Sequence, residues 1–161
     1  MLKYHIDKIP DLRLSEPMAL DLSLSEAIAA APDIFLVSET EAEFRAMKGR
    51  ITGTLGREGT DVMVDVTVGY EVPLSCVRCL EPFVRKGEVG ERTLFFHEKN
   101  ATADELERYG KDGWVDLGPW VRELVLTDLP FYPLCDEACK GLCPECGENR
   151  NTGSCSCTPE G

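Results

Sequence analysis

Between Val62 and Val72 every second position is apolar (Val62, Val64, Val66, Val68, Tyr70, Val72), while Asp61, Asp65, Thr67 and Glu71 occupy positions between. Period-two alternation rich in β-branched residues predicts an antiparallel strand buried on one face. Pro73 ends this ladder, and residues from Phe83 to Phe96 return as a second long strand, so 62–96 reads as one hairpin. Upstream, Leu2, Tyr4 and Ile6 alternate with polar neighbours, as do Met18, Leu20, Leu22 and Leu24, and each set predicts a strand. Ser25 to Ala31 supports a helical turn or two before Pro32 stops it. Residues 33–43 carry no clear period. A strand is expected from Glu43 to Leu55, with a hairpin turn at Gly56-Arg57-Glu58-Gly59.

The period changes after residue 97. His97 to Gly113 is polar and predicts a surface loop with a short helix around Asp104–Tyr109. Leu117, Trp120, Val121, Leu124, Val125 and Leu129 then recur at helical spacing. Asp116 is placed to cap this helix, Pro119 is tolerated in its first turn, and Pro130 and Pro133 end it. The expected fold is α+β: an antiparallel sheet able to close into a barrel, one main helix, and a cysteine-rich tail. The expected units are an α+β domain over 1–134, with a knuckle at 76–79, and a tail over 135–161.

The cysteines change the picture most. Eight occur in 161 residues: Cys76-x2-Cys79, then Cys135, Cys139, Cys143, Cys146, Cys155 and Cys157. Thiols at two-residue spacing place two sulfurs on one side of a tight turn, as a tetrahedral thiophilic metal requires. In Cys143-Pro144-Glu145-Cys146-Gly147, the glycine allows the positive φ that turns backbone amides toward the sulfurs. The expectation is two zinc ions in structural four-cysteine sites. The local set Cys143, Cys146, Cys155 and Cys157 leaves Cys76, Cys79, Cys135 and Cys139 for the other, with Cys139 and Cys143 able to exchange roles. An iron–sulfur cluster is the main rival, followed by a redox pair or reduced thiols. Disulfides fit poorly: the first residues, MLKYHIDKIP, lack an apolar run followed by a cleavage site, and no stretch is long and apolar enough for a membrane span. A cytoplasmic protein is expected.

Charge narrows the partners. The net charge is −12, and two zinc tetrathiolates would lower it by four to −16. Such a chain repels phosphate at long range. Residues 1–43 carry −6 and 93–161 carry −7, whereas 44–92 carry +1. Any RNA-contacting face therefore belongs to the middle of the chain, with Arg78, Arg85 and Lys86 beside the first knuckle as candidates. His5 and His97 lack a neighbouring nucleophile or acid partner in any catalytic spacing, Trp120 falls in helical phase as a core residue, and there is no phosphate loop or nucleophile elbow. No catalytic residue is assigned.

Leu74-Ser75-Cys76-Val77-Arg78-Cys79-Leu80-Glu81-Pro82-Phe83 resembles the YceD family, the large ribosomal RNA subunit accumulation proteins. So do Val115-Asp116-Leu117 with the helix ending Leu129-Pro130, and Cys139-Lys140-Gly141-Leu142-Cys143-Pro144-Glu145-Cys146-Gly147-Glu148-Asn149-Arg150-Asn151. The likeness runs from about residue 44 to 157. It implies a non-enzymatic role in large-subunit rRNA accumulation and ribosome biogenesis, through a large-subunit precursor: a basic ribosomal protein or the rRNA itself. Some family members lack the last cysteine quartet, which implies that the second site is dispensable for the shared activity. The competing class is a thiol-based redox or zinc sensor that affects ribosome production indirectly.

Overall fold

A computed structural model describes residues 2–30, 46–102, 107–153 and 155–157. Strand β1 is Lys3–His5, followed by a 3-10 turn at Ile6–Lys8. Then come β2 (Met18–Ser23), helix α1 (Leu24–Ala30), β3 (Lys48–Glu58), β4 (Asp61–Ser75), β5 (Pro82–His97), β6 (Arg108–Tyr109), β7 (Trp114–Asp116) and helix α2 (Gly118–Asp128). A five-stranded sheet has the order β2-β3-β4-β5-β6, antiparallel except for the parallel β5–β6 pair, and β1 pairs with β7 in a separate two-stranded sheet.

The alternation in β4 sets which face is buried. Val62, Val64, Val66, Val68, Tyr70 and Val72 are each at most 2 % exposed. They meet Leu20, Ile51 and Leu55 from the neighbouring strands, and Trp120, Val121, Leu124 and Val125 from α2. α2 packs on β5, and the Trp120 ring meets Phe95 edge-on at 6.0 Å. Burying one apolar sheet face under a helix stripe provides the main stabilisation, at about 25 cal/mol per Å² of apolar surface. Tyr70 projects over Gly87, its cross-strand partner; a Cβ there would lie 2.3 Å from the tyrosine Cζ, so only glycine fits.

The outcome differs from expectation in four places. The sheet is open rather than a closed barrel: β2 and the two-residue β6 lie at opposite edges, and the helices cover the apolar face in place of curling by the sheet. The short helix expected over Ser25–Ala31 is present as α1, because Leu24, Ala27 and Ile28 give it a buried face of its own. The expected helix near 104–109 is replaced at Arg108–Tyr109 by β6, since Tyr109 is buried and its hydroxyl donates to the Thr60 carbonyl at 2.6 Å; residues 103–106 lie outside the described residues. Asp116 sits in β7, one position before the N-cap Leu117, and still accepts from the Gly118 N–H at 3.0 Å. The strand expected from Glu43 begins at Lys48, its first residues falling in a segment outside those described, as does the stretch 33–43.

Candidate metal centre

The β4–β5 hairpin is 15 and 16 residues long on its two sides, and its tip carries the first knuckle. There Cys76 N–H donates to the Glu81 carbonyl at 3.0 Å and Leu80 N–H to the Cys76 carbonyl at 2.8 Å. The tail repeats this pattern: Cys143 N–H to Glu148 at 2.8 Å and Gly147 N–H to Cys143 at 2.9 Å. Two Cys-x2-Cys turns of unrelated sequence therefore share one backbone geometry. The residue after the second cysteine must be left-handed, and φ is +74° at Gly147 and +61° at Leu80. That conformation costs an L-residue about 1–2 kcal/mol, so Leu80 is held under strain by the turn around it.

All eight cysteines are free thiols, and their sulfurs gather in two groups, Cys76/Cys79/Cys135/Cys139 and Cys143/Cys146/Cys155/Cys157. Within each group every sulfur lies within 4.8 Å of the others. Cys139 thus belongs with the hairpin and Cys143 with the tail. Sγ separations of 3.8 Å for Cys76–Cys139 and 3.7 Å for Cys79–Cys135 are far beyond a disulfide. They match the ~3.8 Å edge of a tetrahedron whose centre lies ~2.3 Å from each sulfur, the zinc–thiolate distance. Each group can hold one tetrahedral ion with no position left open for substrate.

The surroundings favour thiolates. Backbone amides, first that of Cys135 and then those of Cys79 and Arg78, pull the Cys76 thiol down to about 6. The amides of Cys146 and Glu145 do the same for Cys143, also to about 6. Crowding works against Cys157: its contact with the Cys146 sulfur and burial push that thiol up to about 12. A divalent cation removes that mutual repulsion. The first group is also enclosed, with Cys76, Cys79 and Cys139 packed against Phe83 and Leu134.

Side chains outside the cysteine set tie the two groups together. Asn151, in the loop between the tail cysteines, donates through Nδ2 to the Cys139 sulfur at 3.3 Å while its Oδ1 accepts from the Lys140 N–H at 2.8 Å. Leu142 N–H donates to the Arg78 carbonyl at 3.0 Å, and the Arg78 guanidinium donates to the carbonyls of Glu137 and Cys139, both at 3.1 Å. Nothing in the spacing of the sequence signalled Asn151; its only cue is its place in a turn-rich loop between two ligands.

The three cations expected near RNA do not converge. Arg78 braces the tail. Arg85 lies opposite Val72 on the core side of the sheet, beside the Tyr70 hydroxyl, which donates to Asp128. Lys86 faces the other way and pairs with Glu71 at 2.6 Å. The outward cations Arg50 and Arg92 are likewise held by Asp21 and Asp65.

The family model described as "Large ribosomal RNA subunit accumulation protein YceD" matches residues 64–161, well over half of the chain. The chain belongs to the YceD family. The matched region begins in β4 and takes in β5, α2 and both cysteine groups. An uncharacterized protein of Mycobacterium tuberculosis is 36 % identical over 90 residues, 53 % of this chain and 44 % of that protein. The uncharacterized protein YlbN of Bacillus subtilis is 28 % identical over 102 residues, 62 % of this chain and 59 % of its own length. The chloroplastic YCED homolog 1 of Arabidopsis thaliana, named as a large ribosomal RNA subunit accumulation protein, is 39 % identical over 46 residues, 29 % of this chain and 14 % of that one. The relatives thus extend beyond the segments they share with this chain. No solved structure matches the chain at a significant level. No helix among the described residues is long and apolar enough to cross a membrane.

Proposed function

We propose that this chain is a non-enzymatic, cytoplasmic factor for large-subunit rRNA accumulation that acts by binding a basic protein of the large ribosomal subunit. Two zinc ions, in structural four-cysteine sites, hold the tail (135–161) on the body (1–134). The family supplies the process, since its plant members carry that role in their names. The choice of partner rests on one observation: among the described residues the outward cations of the sheet Arg50, Lys86 and Arg92 are each paired with a carboxylate and Lys48 lies opposite Glu71, so with a net charge of −12 little free basic surface is left there for phosphate. Ribosomal proteins of the large subunit are mostly strongly basic. An acidic factor attracts them rapidly over the ~8 Å screening length of physiological salt and shields them until they reach rRNA.

Zinc, once bound, cross-links and does no chemistry, because four thiolates fill its coordination sphere. Protein purified without added metal should contain about two equivalents of zinc; iron with visible absorption overturns that assignment. The partner is tested by offering immobilised protein the proteins stripped from large subunits and, separately, protein-free large-subunit rRNA at about 0.15 M salt. Retention of basic proteins and not of rRNA is the expected result; the reverse refutes it. The sensor reading draws on the exposure of Cys135 and Cys146. It requires zinc release under mild oxidation, whereas a structural pair of sites retains the metal.

A further inference from the structure

The end of the molecule that carries the first cysteine group also carries a set of exposed apolar side chains. Val77 is 49 % exposed, Leu80 65 %, Phe131 97 % and Tyr132 80 %. The backbone joins them: Val77 N–H donates to the Pro133 carbonyl at 3.0 Å, which lays the segment before Pro133 along the knuckle. Grouped apolar side chains of this size on a surface mark interaction sites. Leu80 reinforces the point, because its backbone takes a conformation natural to glycine and its side chain contributes little packing in return.

The charges around this shelf select its occupant. Glu81, Asp136 and Glu137 surround it, exposed, and no ion pair reaches any of them among the described residues. The cleft of about 270 Å³ over the first cysteine group, lined by Cys79, Cys135 and Cys139, is rimmed by Glu81 and Asp136. Arg78, the cation of the knuckle itself, is engaged with two backbone carbonyls. A nucleic acid would bring phosphates against unneutralised carboxylates, and a second copy of this chain would bring the same carboxylates against each other. A cationic protein segment meets neither obstacle.

We propose that Val77, Leu80, Phe131 and Tyr132 form the docking shelf for a basic protein segment, whose apolar anchor packs on the shelf while a neighbouring lysine or arginine pairs with Glu81 and Asp136. This rests on the reading above, that the partner is a basic large-subunit protein. It adds where the partner binds and by what chemistry.

The test uses the zinc-loaded full chain, immobilised and offered the proteins stripped from large ribosomal subunits, with captured proteins identified by mass spectrometry. Two variants are compared with wild type: Phe131→Ser with Tyr132→Ser, and Glu81→Gln with Asp136→Asn. None of these residues is a cysteine ligand or a core residue, so zinc content and melting temperature serve as controls for folding. Wild type should retain a basic protein. The apolar variant should lose about tenfold or more in affinity for it, the scale of an anchor lost from an interface centre. The charge variant should bind with a weaker dependence on salt. Equal retention of that protein by wild type and by the apolar variant overturns the shelf and leaves the basic-partner reading standing. A wild-type chain that retains no basic protein overturns both.

Discussion

Removing the first cysteine group should destabilise the protein more than removing the second, and the structure sets the difference. The first group brings Cys79 to Cys135, 56 positions apart, where a shared metal would cross-link them. The second bridges Cys146 to Cys155, nine positions apart. The chain entropy of closing a loop grows as (3/2)RT ln n, so the longer loop is worth about 1.6 kcal/mol more in restraint of the unfolded state. Burial adds to this. Cys76 and Cys79 are 0 % and 4 % exposed beside Phe83 and Leu134. Serine in their place leaves hydroxyls in an apolar cluster, at about 1–3 kcal/mol for each one unsatisfied. A gap of roughly 3 kcal/mol between Cys76→Ser/Cys79→Ser and Cys155→Ser/Cys157→Ser follows, equivalent to about 6 °C or more in melting temperature for a chain of this size. Urea and thermal unfolding of the two double variants, each with its zinc content measured, provide the comparison. Equal losses, or a greater loss from the tail variant, would refute the argument that the first site is the long-range cross-link.

Four further outcomes follow from the site geometry. Asn151→Ala should speed zinc loss to a chelator and weaken binding at the first group about tenfold, the usual scale for an outer-sphere hydrogen bond to a ligand; unchanged release kinetics would show that the bond to Cys139 is idle. Gly147→Ala should cost about 1–2 kcal/mol through φ alone, since a Cβ there meets nothing within 4 Å. Leu80→Gly should stay within about 1 kcal/mol of wild type in urea unfolding, because relief of the same strain is offset by the extra freedom of glycine in the unfolded chain. Zinc affinity should fall as pH falls, because protons compete for the same sulfurs. The fall should steepen below about pH 6, where Cys76 and Cys143, pulled down by backbone amides, also take up protons while Cys157 is protonated throughout. Chelator-reported zinc release that is flat between about pH 5 and 8 would contradict this.

Much of the fold was legible in the sequence because its signals are local. A side-chain period of two in β4 and the apolar stripe of α2 each depend only on near neighbours along the chain, and the apolar faces they define are the ones that pack together. The knuckles were legible for the same reason: four or five consecutive residues specify a turn, its amides and its two sulfurs. Sequence spacing also divided the eight cysteines into a local quartet and a remainder, but left Cys139 and Cys143 interchangeable. Only tertiary structure separated them, since it takes the length of the β4–β5 hairpin and the path of 129–135 after α2 to bring Cys135 and Cys139 to Cys76 and Cys79. The openness of the sheet was equally beyond local pattern. Whether a sheet closes or is capped by helices depends on how its edges meet, and edge pairing is a long-range property. The cations show the limit most plainly. Arg78, Arg85 and Lys86 are neighbours along the hairpin, yet one braces the tail, one turns to the core side and one is paired across the strand. Alternation along a strand sends adjacent side chains to opposite faces, and which charges remain free is decided only when the partner strand arrives.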